Sequence, residues 1–147
     1  EPTPPDFGFY GIHGVETLYT LLGTGCEAVS RIHSPMGDIV SGRWNDGRLG
    51  TFRAVVKGPA VYGGTAFTEK GTVAAGGYAG YKVLLDEILR YFKSGASPVS
   101  KEETLEIFTF MKASNMSLER GGRTVMMDEA YAEGMKEARR LLEAYDE

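Results

Sequence analysis

The second half of the chain carries hydrophobic patterns of helical period. Within residues 81–92 the apolar positions recur every three or four residues, which places them on one face of an amphipathic helix. Gly95 predicts where that helix ends. Ser100-Lys101-Glu102-Glu103 has the form of a capping box and predicts the start of a second helix. Because apolar residues cover most of its circumference, we expect this helix to be largely buried until Gly121-Gly122 closes it.

The first half begins with a short helical pattern and then changes to β-rich runs. Apolar positions within residues 12–22 have helical spacing, and Gly23 offers a C-terminal stop. Asn45-Asp46-Gly47 tolerates positive φ and lies between two β-rich runs, so it predicts a hairpin. We expect consecutive strands to pair as an antiparallel meander. The predicted strands are residues 27–33, 38–44, 48–57, 60–69 and 72–75.

The order of the elements predicts the fold class. Residues 124–127 predict a short edge strand, and Asp128 can cap a final helix that reaches Tyr145. A run of strands followed by a run of helices is typical of an α+β fold. We therefore expect an open, mainly antiparallel sheet with helices packed on one face.

The other face of such a sheet is the candidate interaction surface. Trp44, Phe52, Tyr62 and Phe67 are large aromatic residues in the β-rich half. Helices on one side of the sheet cannot bury all of them, and an apolar sheet face left open is typical of a partner-binding surface. The sequence therefore predicts a homo-oligomer, most simply a dimer, formed through the open sheet face.

Composition and charge limit the class of protein. The 147 residues, 42% hydrophobic and 24% charged, fit one globular domain. We assign residues 7–147 to that domain and residues 1–6 to a Pro-rich linker remnant of a longer chain. The net charge of −4 argues against a nucleic-acid partner. No apolar run has the length that a membrane helix requires, so no membrane partner is expected and a cytoplasmic location is favoured.

The sequence predicts neither a metal nor a nucleotide site in this chain. One cysteine and two histidines cannot form a Cys/His zinc site. The string GTGCEA at residues 23–28 resembles a dinucleotide fingerprint, but a helical pattern precedes it and a strand pattern follows, the reverse of the required order. We interpret it as a helix C-cap and turn, with Cys26 as a buried or turn thiol.

His13 and Glu16 are the candidate catalytic pair. Three residues apart at the head of the first helix, they lie on neighbouring positions of one face. An imidazole titrates near neutral pH, and an adjacent carboxylate can fix its tautomer for general acid–base work. The alternative is a structural pair in which Glu16 complements the helix N-terminus. His33 has no comparable neighbour in sequence and is interpreted as an ordinary sheet residue.

The whole chain resembles the C-terminal domain of the Gfo/Idh/MocA oxidoreductase family. In that family a separate Rossmann domain binds NAD(P), and the C-terminal α+β domain serves substrate binding and oligomer contacts. The resemblance implies a sugar or polyol substrate and an NAD(P) cofactor held by the parent protein. The motifs that carry it are GFYGIHGVE at residues 8–16, YGGT at residues 62–65 and EKG at residues 69–71, with the β-rich runs and the two helices around them.

The family's helix-start motif D-x-G-x-H-x-x-D assigns roles to individual residues here. Gly11 and His13 match it, and Glu16 replaces the last Asp. The resemblance therefore implies that His13 is catalytic and that its neighbours Tyr10 and Glu16 bind substrate. Phe9 stands where the family has its first Asp, which removes one carboxylate from the set. That departure favours an alternative, a non-enzymatic dimerising interaction module in which His13 is structural; in either case the isolated chain is not expected to catalyse hydride transfer.

Overall fold

The computed structural model describes residues 7–56, 62–77 and 80–145, with side chains from residue 11 onward. Its elements follow the predicted order, and the α+β class is confirmed. The expected linker at residues 1–6 lies outside the described residues. The elements are α1 (Phe7–Leu22), β1 (Cys26–Ser34), β2 (Gly37–Trp44), β3 (Leu49–Val55), β4 (Gly64–Thr68), β5 (Gly71–Ala75), α2 (Lys82–Ser94), α3 (Lys101–Glu119), β6 (Val125–Met126) and α4 (Met127–Tyr145).

The main sheet has four antiparallel strands in the order β3-β2-β1-β6. The predicted hairpin at residues 45–47 joins β2 to β3. It closes with a hydrogen bond of 2.9 Å from the amide of Gly47 to the carbonyl of Trp44, and Gly47 adopts a φ of 89°. The prediction of a meander is confirmed for β1, β2 and β3.

The meander prediction is confirmed for β4 with β5 and is wrong for β3 with β4. The strands β4 and β5 pair antiparallel with each other and form a separate two-stranded sheet. A tight turn joins them, in which Thr68 donates its hydroxyl to the carbonyl of Gly71 at 2.8 Å. The sequence pattern marks each strand but carries no information on whether the hairpin joins the edge of β3, so it could not distinguish the two arrangements.

Helices α1, α3 and α4 cover one face of the four-stranded sheet. The core contains one ring each from α1, β2 and α3: Tyr19 lies 5.8 Å from Trp44 and 6.0 Å from Phe110, measured between ring centroids. All three are essentially inaccessible to solvent. Trp44 is therefore buried, and Phe52 is partly buried against the same core, whereas Tyr62 and Phe67 are 56% and 84% exposed. The expectation that the four aromatic residues are not all buried is confirmed.

The predicted N-cap of α3 and C-cap of α2 are both present. The Ser100 hydroxyl accepts a hydrogen bond of 3.0 Å from the amide of Glu103 and begins α3. Gly95 ends α2 with a φ of 70°. The buried positions of α3, including Ile107 and Phe110, confirm that this helix is packed into the core. In contrast, α2 buries none of its residues, and its apolar stripe is exposed to solvent.

His33 is not the unpartnered sheet residue that the sequence suggested. It lies opposite Asp38 across the β1–β2 hairpin, with Nδ1 2.8 Å from a carboxylate oxygen of Asp38. The buried Arg31 donates Nε–H to the same oxygen at 3.1 Å and Nη1–H to Asn115 on α3 at 2.8 Å. Cross-strand register, which the sequence spacing does not give, creates this charged cluster and ties α3 to the sheet.

Candidate functional site

The outward face of α1 carries the candidate catalytic pair. Val15 and Tyr19 are buried on the side of the helix that meets the core. His13 and Glu16 lie on the opposite side and are each about half exposed, at 52%. Because α1 covers one face of the sheet, this pair and the open sheet face lie on opposite sides of the molecule.

A glycine sets how closely α1 approaches the sheet. A Cβ atom at Gly14 would lie 1.9 Å from the ring of Phe52 on β3, so this helical position accepts no side chain without a shift of that ring. The close approach fixes which side of α1 faces the sheet. His13, the residue immediately before Gly14, lies about 100° further round the helix, and its side chain is half exposed.

The geometry of the pair defines its possible chemistry. Nδ1 of His13 lies 3.3 Å from a carboxylate oxygen of Glu16. A neutral imidazole that donates its Nδ1–H to Glu16 presents Nε2 as a proton acceptor. The hydroxyls of Thr17 and Thr20 donate to the backbone carbonyls of His13 and Glu16, at 2.9 and 2.8 Å. The predicted contact is thus present, and the arrangement can accept a proton from a ligand hydroxyl.

A groove between α1 and α3 adjoins Glu16, while His13 is not among the residues that line it. It has a volume of about 390 Å³, and the carboxylate-bearing residues Glu16 and Glu103 both line it. Ile107 and Phe108 belong to its apolar part. Carboxylates accept hydrogen bonds from hydroxyl groups and repel anions. The groove therefore disfavours a phosphorylated or carboxylated ligand.

Tyr62 lies beside the His13 ring, although the sequence analysis grouped it with the aromatic residues of the sheet. Its ring lies 6.1 Å from the His13 ring between centroids, with an interplanar angle of 78°. The two residues are far apart in the chain, so no local pattern could pair them. The side chains of Phe9 and Tyr10, the other residues of the family motif, lie outside the part of the chain that the structure describes.

Glu106 on α3 holds the turn that follows α1. One of its carboxylate oxygens accepts hydrogen bonds of 2.8 Å from the amides of both Gly25 and Cys26, and one of 3.2 Å from the hydroxyl of Tyr19. Burial, followed by the nearby Glu106 charge, raises the pKa of Tyr19. Burial also raises the pKa of the Cys26 thiol to about 11. Cys26 is therefore protonated at neutral pH and is the buried thiol that the sequence predicted.

The GTGCEA string is the C-cap and turn expected from its position. Gly23 ends α1 with a φ of 69° and donates its amide to the carbonyl of Tyr19 at 2.7 Å. The strand β1 then begins at Cys26.

A metal site requires several ligand side chains close together. Within the described ranges, no three His, Cys, Asp or Glu side chains form a group that could hold a metal ion.

Comparison with known proteins identifies no relative. No protein-family model, curated protein or solved structure matches the chain.

Among the described helices, none is both long and apolar enough to cross a membrane. The assignment of a function therefore depends on the residues of the chain and the geometry of the surface around His13.

Proposed function

We propose that this chain is the C-terminal substrate-binding and oligomerisation domain of a Gfo/Idh/MocA-like, NAD(P)-dependent oxidoreductase that acts on a sugar or polyol. The observation that carries the proposal is the half-exposed His13–Glu16 pair, 3.3 Å apart, whose Glu16 lines the same groove as Glu103. This surface combines a proton acceptor with hydrogen-bond acceptors for hydroxyl groups. The choice of family rests on the resemblance of the sequence around His13 to the helix-start motif of Gfo/Idh/MocA oxidoreductases.

The proposed role of His13 is that of a general base. Nε2 accepts the proton of a substrate hydroxyl, and the resulting imidazolium is stabilised by the Glu16 carboxylate at Nδ1. Glu16 also fixes the tautomer before the proton moves. Oxidation of an alcohol to a carbonyl requires loss of this hydroxyl proton, so a base at this position serves that reaction class.

The described residues do not fit the cofactor that the proposal assigns to the parent. A dinucleotide pyrophosphate requires free backbone amides at a helix N-terminus. In the Gly-rich turn of this chain the amides of Gly25 and Cys26 are both bound by the Glu106 carboxylate, which would also repel a phosphate. NAD(P) therefore belongs, in this proposal, to a separate nucleotide-binding domain.

Titration of the 147-residue chain with ligands tests the proposal. We expect cyclic polyols and hexoses to bind weakly, with Kd of about 1 mM, because one chain provides only one wall of the proposed site. Two-dimensional NMR should locate the perturbed amides on α1 and the start of α3. His13→Ala should abolish this binding, while Thr51→Ala on the open sheet face should leave it unchanged. NADH and NADPH should give no saturable binding by calorimetry.

Polyol binding that survives His13→Ala unchanged, or no polyol binding at all, would contradict the proposed substrate site. Micromolar binding of NADH at one site per chain would contradict the assignment of the cofactor to another domain. The upstream reading frame gives an independent check. A βαβ segment with G-x-G-x-x-G/A ahead of Glu1 supports the parent oxidoreductase, whereas a start codon directly before Glu1 supports the alternative.

That alternative is a non-enzymatic, dimerising interaction module with a structural His13. The exposed apolar stripe of α2 favours it, because an amphipathic helix with no buried residue leaves its apolar face without a partner in the described structure. Leu85 and Leu89, for example, are each more than half exposed. In this reading the chain recognises another protein rather than a small molecule.

The open sheet face supports the oligomer that both readings predict. Its centre is a row of hydroxyl residues, Ser30, Ser41 and Thr51, paired across the three strands. Ile32 and Leu49 flank this row and are 68% and 75% exposed. Arg43 and Arg53 lie on the same face, across from Leu49 and Ile39. In this proposal the face packs against the sheet of a second copy.

Sedimentation velocity at low micromolar concentration tests the oligomer. We expect a dimer that Leu49→Asp weakens by at least about tenfold in Kd, because the substitution places an unpaired charge in the interface. Leu85→Asp on α2 is the matched control and should leave the dimer intact if the sheet face is the contact. A monomeric wild-type chain would contradict the predicted oligomer. A dimer that only Leu85→Asp weakens would show that the contact lies on α2 instead of the sheet face.

A further inference from the structure

Among the described residues, two groups lie beside the His13 ring, and one of them is local in sequence. Glu16 lies on the next turn of α1, with its carboxylate 3.3 Å from Nδ1. Tyr62 precedes β4 and meets the imidazole nearly perpendicularly, with ring centroids 6.1 Å apart. This separation and angle are those of a favourable edge-to-face aromatic pair.

We propose that Tyr62 is the positioning residue of His13, holding the imidazole so that Nδ1 faces Glu16 and Nε2 is presented to the ligand. The inference rests on the proposed function, because it assigns Tyr62 a role in the same site. A long hydrogen bond between two half-exposed side chains is weak by itself and leaves the imidazole free to change rotamer. A perpendicular ring beside the imidazole restricts that rotation.

The exposure of both rings separates this role from a structural one. Tyr62 is 56% exposed and contributes nothing to the buried core around Trp44. Its removal should therefore have little effect on global stability. Its effect should be confined to the orientation of His13, which is what a positioning residue predicts.

The contact depends on the ring rather than on the phenol hydroxyl. Tyr62→Phe keeps the ring and should preserve the orientation of His13. Tyr62→Leu keeps comparable bulk without the aromatic face and should release the imidazole. Phe67→Leu is the matched control, since Phe67 is an aromatic residue of the neighbouring hairpin that is 84% exposed.

The experiment is NMR of the full chain with isotope-labelled histidine. The chain has two histidines, and His33, held by Asp38, serves as an internal reference in every spectrum. In the wild type and in Tyr62→Phe we expect the His13 ring protons to carry a ring-current shift and the imidazole to be protonated at Nδ1. In Tyr62→Leu the ring-current shift disappears with the ring itself, so the tautomer is the test: protonation at Nδ1 should be lost, with His33 and the melting temperature unchanged. Phe67→Leu should resemble the wild type.

Polyol titration of the same samples separates the two proposals. Tyr62→Leu should weaken polyol binding by about 2- to 12-fold, the equilibrium equivalent of one aromatic pair, and Tyr62→Phe should restore it. A His13 that stays protonated at Nδ1 in Tyr62→Leu, with polyol binding intact, would overturn the role of Tyr62 and leave the proposed function standing. A His13 tautomer that changes in Tyr62→Leu while the wild type binds no polyol would overturn the proposed function, and with it the positioning role in catalysis.

Discussion

His13→Ala in the proposed NAD(P)-dependent parent protein should reduce the rate of the chemical step by about 10²- to 10⁴-fold, the usual contribution of a positioned acid–base group. The stability of the protein should change little, because the His13 side chain is half exposed and is not one of the buried core residues. Single-turnover oxidation of the polyol and thermal unfolding measure the two effects on the same sample.

The structural reading of His13 predicts the opposite pattern. A packing or helix-start residue should lose about 1 kcal/mol of stability on truncation and leave turnover nearly unchanged. Wild-type turnover in His13→Ala would therefore refute the catalytic assignment and favour the interaction module. Phe9→Asp is a second probe: it restores the carboxylate of the family motif and should increase activity only where the rest of the site is intact.

Glu106→Ala should lower the free energy of unfolding by about 3–4 kcal/mol. The substitution removes the acceptor for the amides of Gly25 and Cys26 in the turn after α1. It also removes the carboxylate partner of the Tyr19 hydroxyl, which keeps only a contact of 3.5 Å to the backbone carbonyl of residue 106. Each unsatisfied buried donor costs about 1–3 kcal/mol, reduced here by access of water to the turn. The total free energy of unfolding of a domain of this size is about 5–15 kcal/mol, so the expected loss is a large part of it.

Urea denaturation of matched variants measures the role of this carboxylate. Glu106→Gln keeps an acceptor oxygen without the charge and should lose only about 1–1.5 kcal/mol. Glu143→Ala, at an exposed position of α4, should stay within about 0.5 kcal/mol of the wild type. Equal midpoints for Glu106→Ala and Glu143→Ala would show that the carboxylate does not hold the turn.

The local elements could be predicted from the sequence because their signals are local. Periodic apolar positions mark α2 and α3, and the chemistry of Ser100 and Gly95 marks their ends. The hairpin at residues 45–47 is specified by residues that adopt or tolerate a turn. The His13–Glu16 contact was equally accessible, since side chains three apart on a helix are neighbours.

Only the tertiary structure decided which elements meet. Periodicity shows that a face is apolar but does not show what covers it. The sequence therefore could not say which of the four aromatic residues is buried, and the packing of α1 and α3 against Trp44 decided it. Cross-strand register placed Asp38 against His33.

In the candidate site, too, some contacts follow from sequence spacing and others only from the packing of distant segments. Sequence spacing determined that His13 and Glu16 share a face of α1, whereas the packing of distant segments brought Tyr62 to the imidazole and Glu106 to the turn after the helix. The physical reason is that spacing along a helix fixes neighbours within a turn or two. Contacts between segments depend on how their side chains fill a shared volume, and no short stretch of sequence contains that information.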